Sequence, residues 1–287
     1  MFSLVYDLLP IRLPDCFPPE MEQHHRNWLQ ALSSFDGALC ISQDVAQDVR
    51  AWFDEHHPQA HCQSIDWFEL GADIGTFDQS RQSTDSPRPI KTITANKPKR
   101  FGLNKAKTFL MVGTIEPRKA YADVLDAFDA LWRQGFDCRL ILVGRAGWTH
   151  LPEDQREAIT QVIDRLDTHK QKYRKLVWLS SADDDQLALA YRQADCLIAA
   201  SYGEGFGLPI IEAISRSVPV LARDIAVFRE VATTQSSFFT ADNLMQAIAN
   251  WQPPPDSSPP RAYTTWQDST QMVINWLQAM TKRLATK

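Results

Sequence analysis

The sequence predicts an α/β protein made of two Rossmann-like units, each a parallel sheet with helices on both faces. Short, unbroken apolar runs alternate with segments of helical spacing, most regularly from residue 107 onward. Such runs are typical of parallel strands that are buried on both faces. The 287 residues are enough for two domains with separate cores. Together these observations favour a doubly wound fold over an all-helical or all-β one.

The first hundred residues fit this class, although their pattern is less regular. Apolar runs and helical spacing predict a strand at 4–6, a helix at 21–32, a strand at 37–41, a helix at 44–53 and a short strand at 64–68. Residues 80–100 are rich in Ser, Thr, Pro and charge, which is typical of a boundary. We therefore divide the chain into a partial N-terminal domain at 1–96, a complete C-terminal domain at 97–252, and a Pro-rich linker with a final helix at 253–287.

The alternation of strands and helices is clearest in the C-terminal domain. Strands are predicted at 109–112, 140–143, 176–179, 196–199 and 218–221, and helices at 121–132, 153–170, 184–192, 208–216 and near Val227. The final helix carries a largely aromatic face formed by Trp266, Val273, Trp276 and Leu277. We expect this face to pack on the body of the protein.

The charge balance and the apolar pattern exclude two classes of protein. With 30 Lys and Arg against 35 Asp and Glu, the net charge is −5, whereas a protein that coats nucleic acid needs a basic face. No apolar run approaches the roughly 18 residues that a membrane span requires. The first ten residues also lack the basic start and the cleavage site of a secretory leader. We expect a cytoplasmic protein, with the inner face of the membrane as a peripheral location.

The cysteines and histidines indicate neither a disulfide framework nor a metal site. The five cysteines are odd in number and include no CxxC pair, so we expect buried, reduced thiols. The pairs His24-His25 and His56-His57 are adjacent in the chain, and adjacent side chains on a helix point in different directions. We expect no metal and no other cofactor.

A glycine-rich segment between a predicted strand and a predicted helix indicates a phosphate site. Only 11 glycines occur in the chain, yet Gly203, Gly205 and Gly207 alternate within five positions, ahead of Pro209. Glycine lets the backbone approach a ligand closely, and Pro suits the first position of a helix. Such a loop presents N–H groups and the positive end of a helix dipole to an anion.

Two carboxylates accompany this segment, Glu204 within it and Glu212 in the helix that follows. They would repel a phosphate unless they face other groups. Sugar hydroxyls are suitable, because a carboxylate accepts two hydrogen bonds from a vicinal diol. A Gly-rich turn with two Glu residues also occurs in α/β proteins that bind no such ligand, so both interpretations stay open on these residues alone.

The turn after the first strand of the C-terminal domain adds a second indication. Residues 112–119 run from a strand to a helix and so open at the same carboxyl edge, where open α/β folds bind ligands. Arg118 can hold a diphosphate as a bidentate fork and Lys119 as a mobile charge, so that no metal is required. The alternative is an exposed basic pair at a helix start, where the dipole disfavours cations.

These two turns resemble those of the family-4 retaining glycosyltransferases of the GT-B fold. The likeness is strong over residues 108–232, where the segments that match in order and spacing are 112–119, 204–213, 217–222 and 228–232. Segments in the first domain resemble the latter part of that family's acceptor domain, and these are 6–10, 40–42 and 70–73. The resemblance implies a GT-B-like protein with a complete donor domain and a partial acceptor domain.

The resemblance also implies a site and an activity. Arg118 and Lys119 would clamp the diphosphate of a UDP- or GDP-sugar, Glu212 would bind the ribose hydroxyls, and Glu204 would contact the transferred sugar as the catalytic residue. The backbone N–H groups that would assist belong to Gly205, Phe206, Gly207 and Leu208. The implied reaction is metal-independent, retaining transfer of a hexose, mannose or glucose, to a glycan or lipid-linked glycan acceptor in polysaccharide biosynthesis. The nucleotide base would lie near residues 144–145 and 180–183.

Two features depart from the family pattern. Residues 1–96 provide two clear strands and a short third one, fewer than a complete domain of ordinary size needs. We therefore expect a truncated N-terminal domain whose sheet edge a partner chain or a second copy would cover. Tyr6 also stands at a strand end where many relatives place His.

Two alternatives to the transferase remain. One is a truncated or degenerate nucleotide-sugar-binding protein without independent transferase activity. The other is a sugar-nucleotide epimerase of similar two-domain build, which Glu204 and Glu212 fit less well.

Overall fold

The computed structural model describes residues 1–72, 106–255 and 263–286 of the chain. Within these ranges the protein contains two parallel sheets with helices between successive strands. The α/β class is therefore confirmed. The predicted domain boundary at residue 97 and most of the Pro-rich stretch at 253–260 lie outside the described residues.

The N-terminal sheet has three parallel strands in the order β1-β2-β3. Its strands and helices are β1 (Phe2–Val5), α1 (Leu9–Arg12), α2 (Pro19–Leu32), β2 (Gly37–Cys40), α3 (Gln43–His56) and β3 (Ser64–Trp67). Helix α3 begins where it does because the Ser42 hydroxyl accepts a hydrogen bond from the Val45 N–H at 3.1 Å. Val45, Val49 and Phe53 then line the buried face of α3 at helical spacing.

The C-terminal sheet has six parallel strands in the order β6-β5-β4-β7-β8-β9. Its strands are β4 (Lys107–Val112), β5 (Cys138–Val143), β6 (Leu176–Leu179), β7 (Cys196–Ala199), β8 (Val220–Arg223) and β9 (Ser236–Phe239). The chain proceeds outward from β4 to β6 and then returns to the other side of β4 with β7. The strand order therefore reverses between β4 and β7, which is where doubly wound folds bind ligands.

Helices cover both faces of this sheet. They are α4 (Tyr121–Arg133), α5 (Glu157–Thr168), α6 (Asp184–Gln193), α7 (Leu208–Ser215), α8 (Ala226–Val231) and α9 (Leu244–Asn250). Val124, Leu125 and Phe128 of α4 are fully buried beside Phe109 of β4. Apolar residues at this spacing form one face of a helix, and that face is the one that packs on the strands.

Three parts of the C-terminal domain differ from the prediction. The strand predicted at 218–221 runs from Val220 to Arg223, because Val218 still donates its N–H to the Ala213 carbonyl and closes α7. The helix predicted at 153–170 starts as a separate 3-10 turn at Glu153–Gln155. Strand β9 and helix α9 have no counterpart in the prediction.

The final helix, α10 (Trp266–Ala285), packs on the body along a narrow stripe. Val273 and Trp276 are partly buried against the core, and the Trp276 ring meets Phe2 edge-on at 5.3 Å. Trp266 and Leu277 stay 47% and 38% exposed, so the predicted packing face is wrong for these two residues. Leu277 lies one residue beyond Trp276, and that step turns it about 100° around the helix and away from the body.

The two sheets meet through the carboxyl ends of their strands. Leu39, Ile41 and Phe68 of the N-terminal unit belong to the same buried cluster as Phe206 and Leu197 of the C-terminal unit. The Glu230 carboxylate also accepts hydrogen bonds from the Gln43 and Asp44 N–H groups, at 2.8 and 3.1 Å, where α3 begins. The N-terminal unit is thus seated against the edge of the C-terminal sheet where its strand order reverses.

Candidate functional site

Two turns meet at the point where the strand order reverses. One turn, residues 113–120, follows β4, and the other, residues 200–207, follows β7, its immediate neighbour in the sheet. Their backbones are joined directly, because the Tyr202 N–H donates to the Arg118 carbonyl at 2.8 Å. The prediction that both turns open at one edge of the sheet is confirmed.

Three predicted residues form one group of charges at this edge. The Arg118 Nη1 donates to Glu204 Oε2 at 2.8 Å, and the Lys119 ammonium donates to Glu204 Oε1. The Ser201 hydroxyl donates to the same Oε1 at 2.7 Å, and Arg118 Nε donates to Glu116 at 3.1 Å. In the structure, carboxylates therefore hold the pair that was predicted to clamp a diphosphate.

The group is largely withdrawn from water, since the side chains of Arg118, Lys119 and Glu204 are between 11% and 18% exposed. Burial alone would raise the pKa of the Glu204 carboxyl, but Lys119 and Arg118 overcome that and hold the pKa below its usual range. Glu204 therefore stays ionised at neutral pH. Buried charges persist in proteins when they are paired and hydrogen-bonded in this way.

The backbone of the first turn places the two cations side by side. Residues Pro117–Lys119 form a 3-10 turn, and Ala120 then adopts the left-handed conformation with φ of 57° before α4 begins. A non-glycine residue in that conformation costs about 1 kcal/mol. Strain of this kind persists where the surrounding structure over-determines it, and it is often found at functional sites.

The glycines of the second turn have specific reasons to be glycine. A Cβ on Gly205 would lie 2.2 Å from the Tyr6 carbonyl oxygen, so the N-terminal unit can approach the loop only because that atom is absent. Gly207 has φ of 106° and directly precedes α7, a conformation that side chains rarely adopt. At the start of α7, Pro209 has no N–H and the Ile210 N–H donates to the Gly207 carbonyl at 2.9 Å, so Leu208 carries the first-turn N–H that can face an anion. The anion site at this loop stays a prediction.

Glu212 belongs to a separate group of contacts. It lies in α7, and its Oε2 accepts a hydrogen bond from the Tyr191 hydroxyl at 2.7 Å. Burial, followed by the Glu212 charge, raises the pKa of Tyr191 well above its usual value, so the hydroxyl remains a donor. The Arg216 guanidinium lies 4.9 Å from the centre of the Tyr191 ring. Glu212 is thus oriented by its neighbours, and its role toward a ribose stays a prediction.

Sequence reasoning missed several residues that shape this site. Tyr191 and Ser201 orient the two carboxylates, although neither carries a charge that would single it out. The segment that covers the Gly-rich loop was also missed: Leu9 and Leu13 lie against Gly203, at 2.7 and 2.8 Å from the position of a Cβ there. The sequence analysis singled out residues 6–10 only for their resemblance to the acceptor domain of the family. That resemblance did not predict the contact with the Gly-rich loop.

The region predicted for the nucleotide base is held by local hydrogen bonds, two of which involve side chains of neighbouring elements. The Trp178 indole N–H donates to the Gly144 carbonyl at 2.9 Å, and Asp183 accepts from the Gln186 N–H at 2.8 Å to begin α6. Neither contact tests the base, so its position stays a prediction.

The predicted thiols are free, and four of them are buried, whereas Cys16 is partly exposed in the short turn Pro14–Cys16. Across the ranges 1–72, 106–255 and 263–286, no three His, Cys, Asp or Glu side chains are grouped so that they could hold a metal ion. In the same ranges, no helix has the length and apolar character of a membrane span. Metal independence and location stay predictions.

Comparison with solved structures defines the fold. The fold matches the crystal structure of the α,α-trehalose 6-phosphate synthase of Burkholderia multivorans with a TM-score of 0.67, at 12% sequence identity, over 99% of this chain and 66% of that one. It matches the sucrose-phosphate synthase of Thermosynechococcus elongatus with a TM-score of 0.62, at 15% identity, over 98% of this chain and 68% of that one. Two facing Rossmann-like units with this site between them form the GT-B fold.

Comparison of sequences defines the family. Residues 93–250, more than half of the chain, match the family model of the glycosyl transferases group 1. This chain belongs to that family. The predicted resemblance and the predicted GT-B-like architecture are confirmed.

Three of the curated relatives that match this chain are named mannosyltransferases. The serotype-specific mannosyltransferase WbdA of Escherichia coli is 34% identical over 283 residues, which are 94% of this chain and 32% of that protein. The O-antigen chain mannosyltransferase RfbU of Salmonella typhimurium is 29% identical over 60% of this chain and 47% of its own length. The phosphatidyl-myo-inositol mannosyltransferase of Mycobacterium tuberculosis is 34% identical over 44% of this chain and 30% of its own length. The chain therefore spans between 30% and 47% of the length of these relatives.

Proposed function

We propose that this chain is a retaining glycosyltransferase that moves a hexose from a nucleotide diphosphate sugar to a glycan or lipid-linked glycan in polysaccharide biosynthesis. The observation that carries the proposal is the meeting of Arg118 and Lys119 at the edge where the strand order reverses. Mannose is the first candidate for the hexose, because the three relatives are named mannosyltransferases.

Arg118 and Lys119 can bind a diphosphate while they keep their hydrogen bonds to Glu116 and Glu204. A Lys ammonium and an Arg guanidinium together carry more N–H donors than Glu204 and Glu116 accept from them. The diphosphate would occupy the remaining donors and the N–H groups of residues 205–208, which lead into α7, and the dipole of that helix favours an anion. Because these groups supply the positive charge, the proposed reaction needs no metal.

The carboxylates have distinct proposed roles. Glu212 accepts only one hydrogen bond in its contact with Tyr191, and a carboxylate can accept several, so it is suited to bind the ribose hydroxyls. Glu204 holds both cations in place, and its remaining acceptor capacity is directed to a hydroxyl of the transferred sugar. These two contacts would fix the donor with its reactive carbon toward the N-terminal unit.

In the proposed reaction the bond between the sugar carbon and the leaving phosphate breaks, and the acceptor oxygen forms its bond on the same face. The proton of the acceptor hydroxyl passes to the leaving phosphate, and the electron pair of the broken bond stays there. Arg118 and Lys119 stabilise the charge that develops on that phosphate. The protein chiefly positions the reactants, with the acceptor next to Tyr6, which is 62% exposed at the end of β1. The proposed location is the cytoplasm or the inner face of the membrane.

The experiment is isothermal titration of the purified chain with UDP, GDP, UDP-glucose and GDP-mannose, with and without EDTA. We expect binding of one nucleotide in preference to the other, unchanged by EDTA. The bound donor is then used in a transfer assay with a mannose-containing oligosaccharide acceptor. No binding at millimolar ligand would contradict the donor site. Binding without turnover would favour the alternative of a nucleotide-sugar-binding protein, which the names of the relatives do not support.

A further inference from the structure

A buried arginine lies outside the predicted site but at the same edge of the sheet. Arg223 is the last residue of β8 and is only 7% exposed. Its Nε donates to the Ala200 carbonyl at 2.8 Å, and its Nη2 donates to Asp123 Oδ2 at 3.0 Å. Ala200 begins the Gly-rich loop, so one guanidinium is bonded to the loop and to the start of α4.

Tyr202 completes this arrangement from the loop side. Its ring centre lies 4.5 Å from the Arg223 guanidinium, and its hydroxyl donates to Asp123 Oδ2 at 2.8 Å. Its N–H donates to the Arg118 carbonyl at 2.8 Å. Burial, followed by the Asp123 hydrogen bond, raises the pKa of Tyr202 to about 12, so the hydroxyl remains a donor near neutral pH.

The three residues connect the two turns that carry the charges. Asp123 lies in the first turn of α4, directly after the 3-10 turn that holds Arg118 and Lys119. Tyr202 lies two residues before Glu204 in the Gly-rich loop. A shift of either turn would separate Glu204 from the cations, and the Arg223 contacts oppose such a shift on both sides.

We propose that Arg223 is a positioning residue for the donor site, which it holds in register through Tyr202 and Asp123. The chemistry requires arginine, because its planar fork reaches two acceptors in fixed directions while its face stacks on an aromatic ring. A lysine keeps the charge but cannot make these contacts together. The part of the proposal that concerns nucleotide affinity rests on the proposed function, whereas the part that concerns the loop does not.

The chain offers a matched control in Arg229. This residue of α8 also makes two hydrogen bonds to an aspartate, Asp224, at 2.5 and 2.8 Å, and its guanidinium also lies 4.5 Å from a ring, that of Phe238. It is 57% exposed and contacts neither turn in these interactions. Replacing Arg229 therefore removes the same kinds of contact without touching the donor site.

The experiment compares Arg223→Lys and Arg229→Lys by hydrogen–deuterium exchange of residues 200–207 without ligand, and by titration with GDP and with UDP. We expect Arg223→Lys to speed exchange of the loop, the Tyr202 N–H above all, at least tenfold and to weaken nucleotide binding at least tenfold. Arg229→Lys should stay within about twofold of the unaltered chain in both measurements. Unchanged exchange and unchanged affinity in Arg223→Lys would overturn the proposal.

Two further variants keep the test decisive. Tyr202→Leu removes the ring and the hydroxyl, and we expect it to speed loop exchange as Arg223→Lys does. In the double variant, which combines Arg223→Lys and Tyr202→Leu, the loop should exchange no more than about twofold faster than in the faster single variant. The reason is that both changes break the same unit. If Arg223→Lys does not fold, Tyr202→Leu alone tests the proposal. Exchange of residues 200–207 in Tyr202→Leu at the rate of the unaltered chain would then overturn it. If the unaltered chain binds no nucleotide, the proposed function fails, and the exchange measurement still decides the role of Arg223.

Discussion

The two sheets present very different carboxyl edges to each other. The edge of the C-terminal sheet gathers Arg118, Lys119 and Glu204 in a buried, hydrogen-bonded group. The facing edge of the N-terminal sheet contributes the backbone carbonyl of Tyr6 and the apolar side chain of Ile41, which lie 2.2 and 3.0 Å from the position that a Cβ on Gly205 would take. One edge is therefore equipped to bind an anion and the other to provide a wall. Substitutions at the first should change ligand affinity, and substitutions at the second should change how the two units fit.

The largest effect is expected from Lys119→Ala. The change removes a charge-assisted contact to the diphosphate, and such contacts contribute about 1–3 kcal/mol. Nucleotide affinity measured by titration calorimetry should fall accordingly, by roughly fivefold to 150-fold. Lys172→Ala is the control, because Lys172 pairs with Asp167 away from this edge. Equal affinity in Lys119→Ala and the unaltered chain would remove Lys119 from the site.

Glu212→Ala should weaken nucleotide binding by a comparable amount, and it should also change how the chain distinguishes ribose from deoxyribose nucleotides. The unaltered chain should bind the 2′-deoxy form of its nucleotide more weakly than the ribose form, by about 1–3 kcal/mol for a hydrogen bond to a charged group. Glu212→Ala should bind both forms with the same reduced affinity. If the variant still distinguishes the two forms, another residue holds the ribose.

The contact between the two edges is tested by Gly205→Ala against Gly203→Ala. A Cβ on Gly205 would meet the Tyr6 carbonyl oxygen at 2.2 Å, whereas a Cβ on Gly203 would meet the ends of Leu9 and Leu13, at 2.7 and 2.8 Å. Leucine ends can rotate away, but a backbone carbonyl cannot. We expect Gly205→Ala to lower the free energy of unfolding by about 1–3 kcal/mol and Gly203→Ala by less. Chemical denaturation measures both, and equal losses would contradict the close approach.

Acid should act on the charged edge through Glu204. Its pKa is lowered in the folded protein because Lys119 and Arg118 outweigh the effect of burial. The stability that it contributes is therefore present above the pKa of the unfolded chain and lost as pH falls through the folded-state pKa. The free energy of unfolding should fall more steeply with acid in the unaltered chain than in Glu204→Gln. Parallel curves would show that Glu204 is not held ionised by the cations.

The smallest effect is expected from Ser217→Gly, which leaves both edges unchanged. Ser217 has φ of 56° just after α7, with its N–H bonded to the Ile214 carbonyl, the position where helices commonly have glycine. Relief of the left-handed strain should stabilise the fold by about 0.5–1 kcal/mol, after the added freedom of glycine in the unfolded chain is subtracted. The melting temperature should rise while nucleotide affinity stays the same. A lower melting temperature would contradict this assignment.

The strands were easier to predict from the sequence than their exact ends. Leu176–Leu179 and Cys196–Ala199 match the prediction because each is an apolar run that directly follows a charged residue. Strand β9, Ser236–Phe239, was missed because it lies at the edge of the sheet and begins with two serines. Arg223 was not assigned to β8, because charged residues are rare in buried strands. The partners that make its burial possible, Ala200 and Asp123, could not be identified from the sequence.

The residues of the candidate site could be predicted, but their mutual contacts could not. Spacing placed Arg118, Lys119 and Glu204 at one edge of a sheet, where each was assigned a contact with a ligand. The structure joins them to one another. The direction of a side chain depends on rotamers and on packing between distant segments, and the pattern of the sequence contains neither. The expected partner chain or second copy at the N-terminal sheet stays a prediction.

The most direct test is a crystal structure of the chain with its nucleotide diphosphate bound. We predict diphosphate oxygens within hydrogen-bonding distance of Arg118 and Lys119, with the ribose hydroxyls on Glu212 and Glu204 still joined to the cations. A nucleotide bound at another edge of the sheet, with the contacts of Glu204 to Arg118 and Lys119 unchanged and no phosphate beside them, would contradict the donor site.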